Sequence, residues 1–423
     1  MNTTIPKKFI KTIRVLFHTV LISLIITPNI GMIPGIPNIR VEEILIVIFM
    51  LYLVVNLCVK KKIIIGINYF QVFLIAFLII ISLSMLIGSL NNYNTSLADF
   101  NQFIRILKYL TIYTMAITLI KLSKDSQAEK NRIINTILNT SIILFIIVIQ
   151  QYFNLFNLNE QYIHLIAPTQ DETLLAGDAN ARVVGMYGNP NELGFLFVIT
   201  VILSIYMLYN SKTHRLKYTL ILIMQISGLF FTLSRSAFLA MVIGVLILII
   251  GMALRNTSIN VNFIKRILPI SLILIIIATI TLNFTNFSNE IWWRFAELNN
   301  LEASTSWQAR LSNWDENIDI IEDNPIFGVG PLRRADFEFA ADNEWLLLLR
   351  SYGLIGTLYL IFIFFVPILK AKSNYKKLTI AVLTAVMVFM IPAAVFHSLK
   401  LFPLVLIIFA LTVDSKKAIT ISI

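Results

Sequence analysis

The chain has 423 residues, 57% of them hydrophobic and only 13% charged. A soluble protein averages roughly 25% charged residues, so this composition excludes an ordinary soluble domain. The formal net charge of +11 would suit a nucleic-acid partner, but the placement of the charges along the chain, given below, argues against one.

Apolar runs of about 17–25 residues recur, the length that crosses a bilayer core of about 30 Å. A membrane β-barrel would instead alternate in segments of about ten residues. The expected fold class is therefore all-α, a polytopic helical membrane protein of about twelve transmembrane helices. The spans fall at 9–26, 41–59, 69–89, 101–121, 133–153, 191–209, 217–232, 235–253, 265–283, 343–367, 376–394 and 397–413. Lys7, Lys8, Lys11 and Arg14 precede the first span as in a signal peptide. No small-residue cleavage site follows, so it is read as an uncleaved helix. The single cysteine, Cys58, falls in span two and is expected as a small core residue.

One set of loops carries the lysines. Lys7 to Arg14, Lys60 to Lys62, Lys121 to Arg132, Lys212 to Lys217, Arg255 to Arg266, Lys370 to Lys377, and Lys416 with Lys417 hold 23 of the 34 basic residues. That side is read as cytoplasmic, with both termini inside. The opposite loops carry Arg40, Arg182, Arg235, Arg294, Arg310, Arg333 and Arg334, with no lysine. Arg105, Lys108, Arg350 and Lys400 sit within spans. Insertion orientation explains the inner charge but not an all-arginine outer set. Arginine suits bidentate contact with phosphate.

The chain divides into helices one to nine (1–283), an external loop domain with an amphipathic helix (284–342), and helices ten to twelve (343–423). In the stretch Arg182 to Gly194, Asn189 reads as a helix N-cap with Pro190 at the first helical position. Glu192 is placed to reach back in a capping box. Arg182 and Asn191 in this stretch are substrate-binding candidates. Arg235 lies in a tight turn, Thr232 to Ala237, at the N-terminus of span eight, where the helix dipole disfavours a cation. A snorkelling arginine is the plain reading; a cation at membrane depth more often marks a site.

In the external loop, Trp307, Leu311, Trp314, Ile318 and Ile321 recur at helical spacing, which predicts an amphipathic helix over 306–322. Thr305 and Gln308 fit a capping box and Pro325 a stop. Arg310 lies at the edge of that apolar stripe. Trp307 and Trp314 suit an interfacial belt; sugar stacking is the sharper alternative. Asp342 and Asn343 open span ten, where the helix dipole favours an ionised carboxylate. Asp342 is either an N-cap or a base. Gly353 and Gly356 are read as close-packing positions, and Arg350, roughly 12 Å deeper along the helix, needs a partner or a polar cavity. The starts of spans six, eight and ten share one face. A carboxylate and several arginines there suggest transfer of a group from a lipid phosphate. The four histidines are scattered and no phosphate loop or dinucleotide fingerprint occurs, so neither a metal nor a cofactor is expected.

These landmarks, in order, resemble the bacterial O-antigen ligase and polymerase (Wzy-type) family. The matching pieces are Arg182 to Gly194, Thr232 to Ala237, and Arg310-Leu311-Ser312-Asn313-Trp314 followed by Asn324-Pro325-Ile326-Phe327-Gly328-Val329-Gly330. Asp342-Asn343 and Gly353-Leu354-Ile355-Gly356 complete the set. The resemblance implies a metal-independent, inverting glycosyltransferase of the bacterial plasma membrane, working on its outer face. It implies an undecaprenyl-diphosphate-linked oligosaccharide as donor and as acceptor, membrane lipids as surroundings, a chain-length regulator as a partner, and no nucleic acid. Arg235 and Arg310 would neutralise the diphosphate and Asp342 would take the proton, with Arg182, Asn191, Arg350, Trp307, Trp314 and Asn343 binding substrate. Family ligases usually carry histidine where this chain has Asp342, which leans toward a polymerase of surface-polysaccharide repeat units. A ligase to lipid A-core or protein is the alternative. A lipid-linked oligosaccharide flippase is the alternative from another class.

Overall fold

In lipid every backbone N–H and C=O must bond within its own segment, so long apolar runs fold as helices. The computed structural model describes residues 7–28, 40–93, 97–175, 182–211, 213–253, 305–331, 343–369, 371, 375–413 and 419–422. The helices are α1 (Lys7–Ile26), α2 (Val41–Lys60), α3 (Tyr69–Leu90), α4 (Asn101–Leu122) and α5 (Ser126–Phe153). Two short helices follow, α6 (Asn159–Ile166) and α7 (Asp171–Leu175), and then α8 (Pro190–Asn210), α9 (Arg215–Phe231) and α10 (Arg235–Ala253). The last four are α11 (Thr305–Asp323), α12 (Glu344–Leu369), α13 (Tyr375–Phe389) and α14 (Leu401–Ala410).

Among the described residues, eight helices are long and apolar enough to cross a membrane: α1 to α5, α8, α10 and α12. The seventh, eleventh and twelfth expected spans appear as the shorter α9, α13 and α14. The ninth, 265–283, lies outside the described residues. At 1.5 Å per residue, α14 reaches only about 15 Å, roughly half of a bilayer core. The expected start of span twelve at 397 is instead part of an irregular stretch, 390–400, that turns inside the protein.

Helix α8 is the hub. Almost all of Leu193 to Leu208 is buried, and the helix packs on α5, α9, α10, α13 and α14. Small residues let neighbours close in, as membrane helices require when lipid offers no hydrophobic drive between them. A Cβ on Gly244 of α10 would lie 3.0 Å from Ala385 of α13. Outward faces carry large apolar side chains, such as Val47, Leu51 and Val55 on α2 and Val242, Leu246 and Ile250 on α10. Cys58 belongs to this outward set: it is exposed, not a core residue as expected.

One end of the bundle collects several of the lysine-rich segments among the described residues. Strand β1 (Lys62–Ile65) pairs antiparallel with β2 (Ile419–Ser422), Lys62 opposite Ser422. This small ribbon is the only paired strand structure among the described residues. Arg14 donates two hydrogen bonds to Glu129, at 3.0 and 2.8 Å. Lys130 bonds the Val413 carbonyl at 2.7 Å, and the Tyr375 hydroxyl bonds Asn131 at 2.9 Å. The starts of α1, α5 and α13 and the chain's end therefore share a face. The starts of α2, α4, α8, α10 and α12 lie at the other end.

Candidate functional site

At that other end the first cluster is built on Asn191. Asn189 caps α8, accepting from the Asn191 amide at 2.8 Å. This leaves the Asn191 side chain pointing across the helix start, where its Oδ1 accepts from Arg182 at 2.7 Å and from the Ser234 hydroxyl at 2.9 Å. Arg182 also donates to the Thr232 carbonyl at 3.0 Å. The turn bends tightly through Leu233, at φ +48°. Gly194 gives it room: a Cβ there would press on Ala237, Thr232 and Ser234 at 3.0–3.1 Å. Arg235, half-buried, is thus delivered at the first position of α10 on a braced turn. Arg182 and Asn191 converge with the turn before Arg235, as the sequence suggested. Glu192 does not serve the capping box expected of it; it lies near Ser398.

The second cluster joins the loop helix to α12. The helix expected at 306–322 is observed as Thr305–Asp323. Trp307 and Trp314 meet edge to face, centroids 5.6 Å apart. Ile318, expected on the buried stripe, is 39% exposed, whereas Asn317 is 2% exposed. The reason is Arg350, also buried, which donates to Asn317 Oδ1 at 2.8 Å. Arg350 therefore has the partner that the sequence demanded, and the helix rolls to supply it. Arg310 lies two turns before Asn317 on α11 and is half-buried.

Gly353 admits a close neighbour, as expected, since a Cβ there would run into the Ile326 carbonyl, and it is also a break. Its φ of +60° and ψ of −168° interrupt α12. An unbroken helix would bond the Leu354 amide to the Arg350 carbonyl and the Ile355 amide to the Ser351 carbonyl. Instead those amides bond the Pro325 and Ile326 carbonyls, at 2.8 and 3.2 Å, and the two freed carbonyls accept from Val329 and Gly330, both at 2.9 Å. Four exchanged hydrogen bonds seat the segment Pro325 to Gly330 inside the helix. Asn91 at the end of α3 bonds Asn324 at 2.5 Å.

The third cluster was not anticipated. Asn343 caps α12: its Oδ1 accepts from the Trp345 and Leu346 amides at 2.9 and 3.3 Å. Glu344, fully buried, accepts from the amides of Val395, Phe396 and His397, and from His397 Nδ1 at 2.6 Å. Lys400 reaches the Thr27 and Met186 carbonyls and lies over the Tyr187 ring. Lys108 bridges Glu42 and Glu43, each at 3.1 Å. The signal for Lys108 and Lys400 was present, as charges inside apolar spans. For Glu344 and His397 none was, because their contact spans more than fifty residues.

The three clusters are contiguous. The first turn of α8 touches the Arg235 turn through Asn191 and Ser398 through Glu192. The stretch 390–400 holds Glu344, and α12 carries on to Arg350, Asn317 and the loop helix. The candidate base Asp342, with Arg294, Arg333 and Arg334, lies outside the described residues. No group of three metal-binding side chains occurs among the described residues.

The O-antigen ligase family profile matches residues 220–361. The match supports the O-antigen ligase/polymerase family for this chain. It takes in Arg235, Arg310, Asp342, Asn343 and Arg350, and stops before the Glu344 partner His397. No curated protein sequence matches the chain. The matched segment covers about a third of the chain and is similar to the O-antigen ligase family.

Proposed function

We propose that the protein polymerises oligosaccharide repeat units carried on undecaprenyl diphosphate, at the outer face of a bacterial plasma membrane, with both termini cytoplasmic. The observation that carries this reading is the braced turn that places Arg235 at the start of α10, tied by Ser234 and Asn191 to Arg182. Fixed cations beside helix N-termini favour an anion, and a departing diphosphate is the anion that glycan transfer produces. Arg310, on the helix that Arg350 anchors, is the second cation in this reading. Trp307 and Trp314 offer stacking faces for sugar.

An acceptor hydroxyl attacks the anomeric carbon as the diphosphate leaves. Direct displacement inverts that centre. The ligase reading is the alternative, favoured by the description of the matched family. Incubating purified protein with a lipid-linked repeat unit alone, and then with lipid A-core added, separates the two. A ladder from the repeat unit alone supports the polymerase. A single transfer only when lipid A-core is present supports the ligase. No transfer to either acceptor sinks both.

A further inference from the structure

We propose that His397 accepts the proton of the attacking sugar hydroxyl and that Glu344 is its positioning residue. This rests on the glycan-transfer reading above. His397 lies outside the residues matched by the family profile, Glu344 inside them, and sequence spacing gave no hint of the pair.

The geometry is specific. The Glu344 carboxylate is sealed from solvent and takes three backbone amides, those of Val395, Phe396 and His397. Those three bonds fold the 390–400 stretch onto the start of α12, with the Glu344 amide bonding the Met390 carbonyl at 2.9 Å. A loop-closing role for the carboxylate needs nothing more. Yet the same Oε1 that takes the His397 amide at 2.9 Å also takes the imidazole Nδ1 at 2.6 Å. A carboxylate on Nδ1 fixes the ring's orientation and holds the proton there, which leaves Nε2 as the basic nitrogen. The side chain keeps 16% of its surface exposed, so it is seated but not sealed. Trp345 Nε1 bonds the Met387 carbonyl at 3.2 Å and braces the same helix start.

Its surroundings suit this chemistry. Arg350 and Arg105 are near enough to act on the imidazole electrostatically. Arg350 is the arginine that joins the loop helix bearing Arg310, and Ser398, the next residue, lies near Glu192 beside Asn191. Through Arg350 and Ser398, the His397 segment is linked to both the loop helix and the start of α8. In the step, His397 Nε2 takes the hydroxyl proton while the hydroxyl oxygen bonds the anomeric carbon. The bond from that carbon to the diphosphate oxygen breaks, and its electron pair stays on the diphosphate. The imidazolium then gives its proton to the departing diphosphate or to water.

The test uses the full chain reconstituted in liposomes with a synthetic polyprenyl-diphosphate oligosaccharide. His397→Ala should lower kcat at least about 100-fold, the usual scale for a lost base. KM for the donor should stay close to wild type, and added imidazole should restore part of the turnover. His397→Gln keeps a donor toward Glu344, so it should melt like wild type, be equally slow, and resist rescue. His397→Gln turning over near the wild-type rate overturns the proposal. So does a His397→Ala loss that comes with a raised donor KM and no imidazole rescue, which is the signature of a structural role. Retained turnover in both His397 variants, with loss in Asp342→Asn, returns the proton to Asp342. A wild-type protein inactive on every lipid-linked donor fails the glycan-transfer reading itself, an outcome distinct from an active wild type with an indifferent His397.

Discussion

Arg350 and Asn317 meet at 2.8 Å in a buried hydrogen bond that fastens the loop helix α11 to the membrane helix α12. A guanidinium at that depth is costly unless a polar group meets it. The bond also sets which face of α11 turns inward, and so where Arg310 stands.

Loss of that bond should be felt first as loosening of the loop. Asn317→Ala should cost about 1–3 kcal/mol, the scale for a buried polar group deprived of a partner. A lower melting temperature in detergent and faster proteolysis within 305–323 would register it. A variant as resistant as wild type would show that Asn317 does not anchor the helix.

Arg235→Ala and Arg310→Ala should each stop glycan product while the protein still reaches the membrane. Removal of one preorganised charge-stabilising group typically costs about 10²–10³ in rate. A product gel beside a membrane immunoblot reads both quantities. Full-length product from both variants would refute the role of the arginines.

Gly353→Ala should damage the fold rather than the chemistry alone. The residue sits at φ +60°, and a Cβ would run into the Ile326 carbonyl. Backbone strain of this kind costs about 1–3 kcal/mol before any clash. Reduced yield and a lower melting temperature are expected, because the Pro325 to Gly330 segment could no longer seat. Val329 and Gly330 would then lose the carbonyls they bond.

Lys108→Met should destabilise strongly. Glu42 is fully buried and Lys108 nearly so. Breaking a buried pair by removing one partner costs about 3–5 kcal/mol, since the other charge is left behind. The double variant Lys108→Met with Glu42→Gln should recover part of that loss in a detergent melt. No recovery would mean that Glu43 is the partner that matters.

Much of the chain was legible without coordinates. Length and apolarity gave the helical class and eight of the twelve expected spans, since lipid leaves a backbone no other choice. The Trp307, Leu311 and Trp314 spacing gave the loop helix within a residue at each end. The lysine-rich loops gave the segments that gather at one end of the bundle. Gly353 was read only in part: its close neighbour was expected, but a glycine in an apolar run reads the same whether or not it also breaks its own helix. Ile318 and Asn317 were exchanged for a related reason: periodicity counts apolar side chains and does not see a buried arginine waiting across the interface.

What the sequence decided by itself is what depends on neighbours along the chain: helix type, and which loops carry lysine and which arginine. What only the tertiary structure decided is pairing across distance. Asn191 with Arg182 and Ser234, Arg350 with Asn317, and Glu344 with His397 join separate elements. Their choice depends on how the helices rotate and how deep each sits, and hydrophobic packing around α8 sets both.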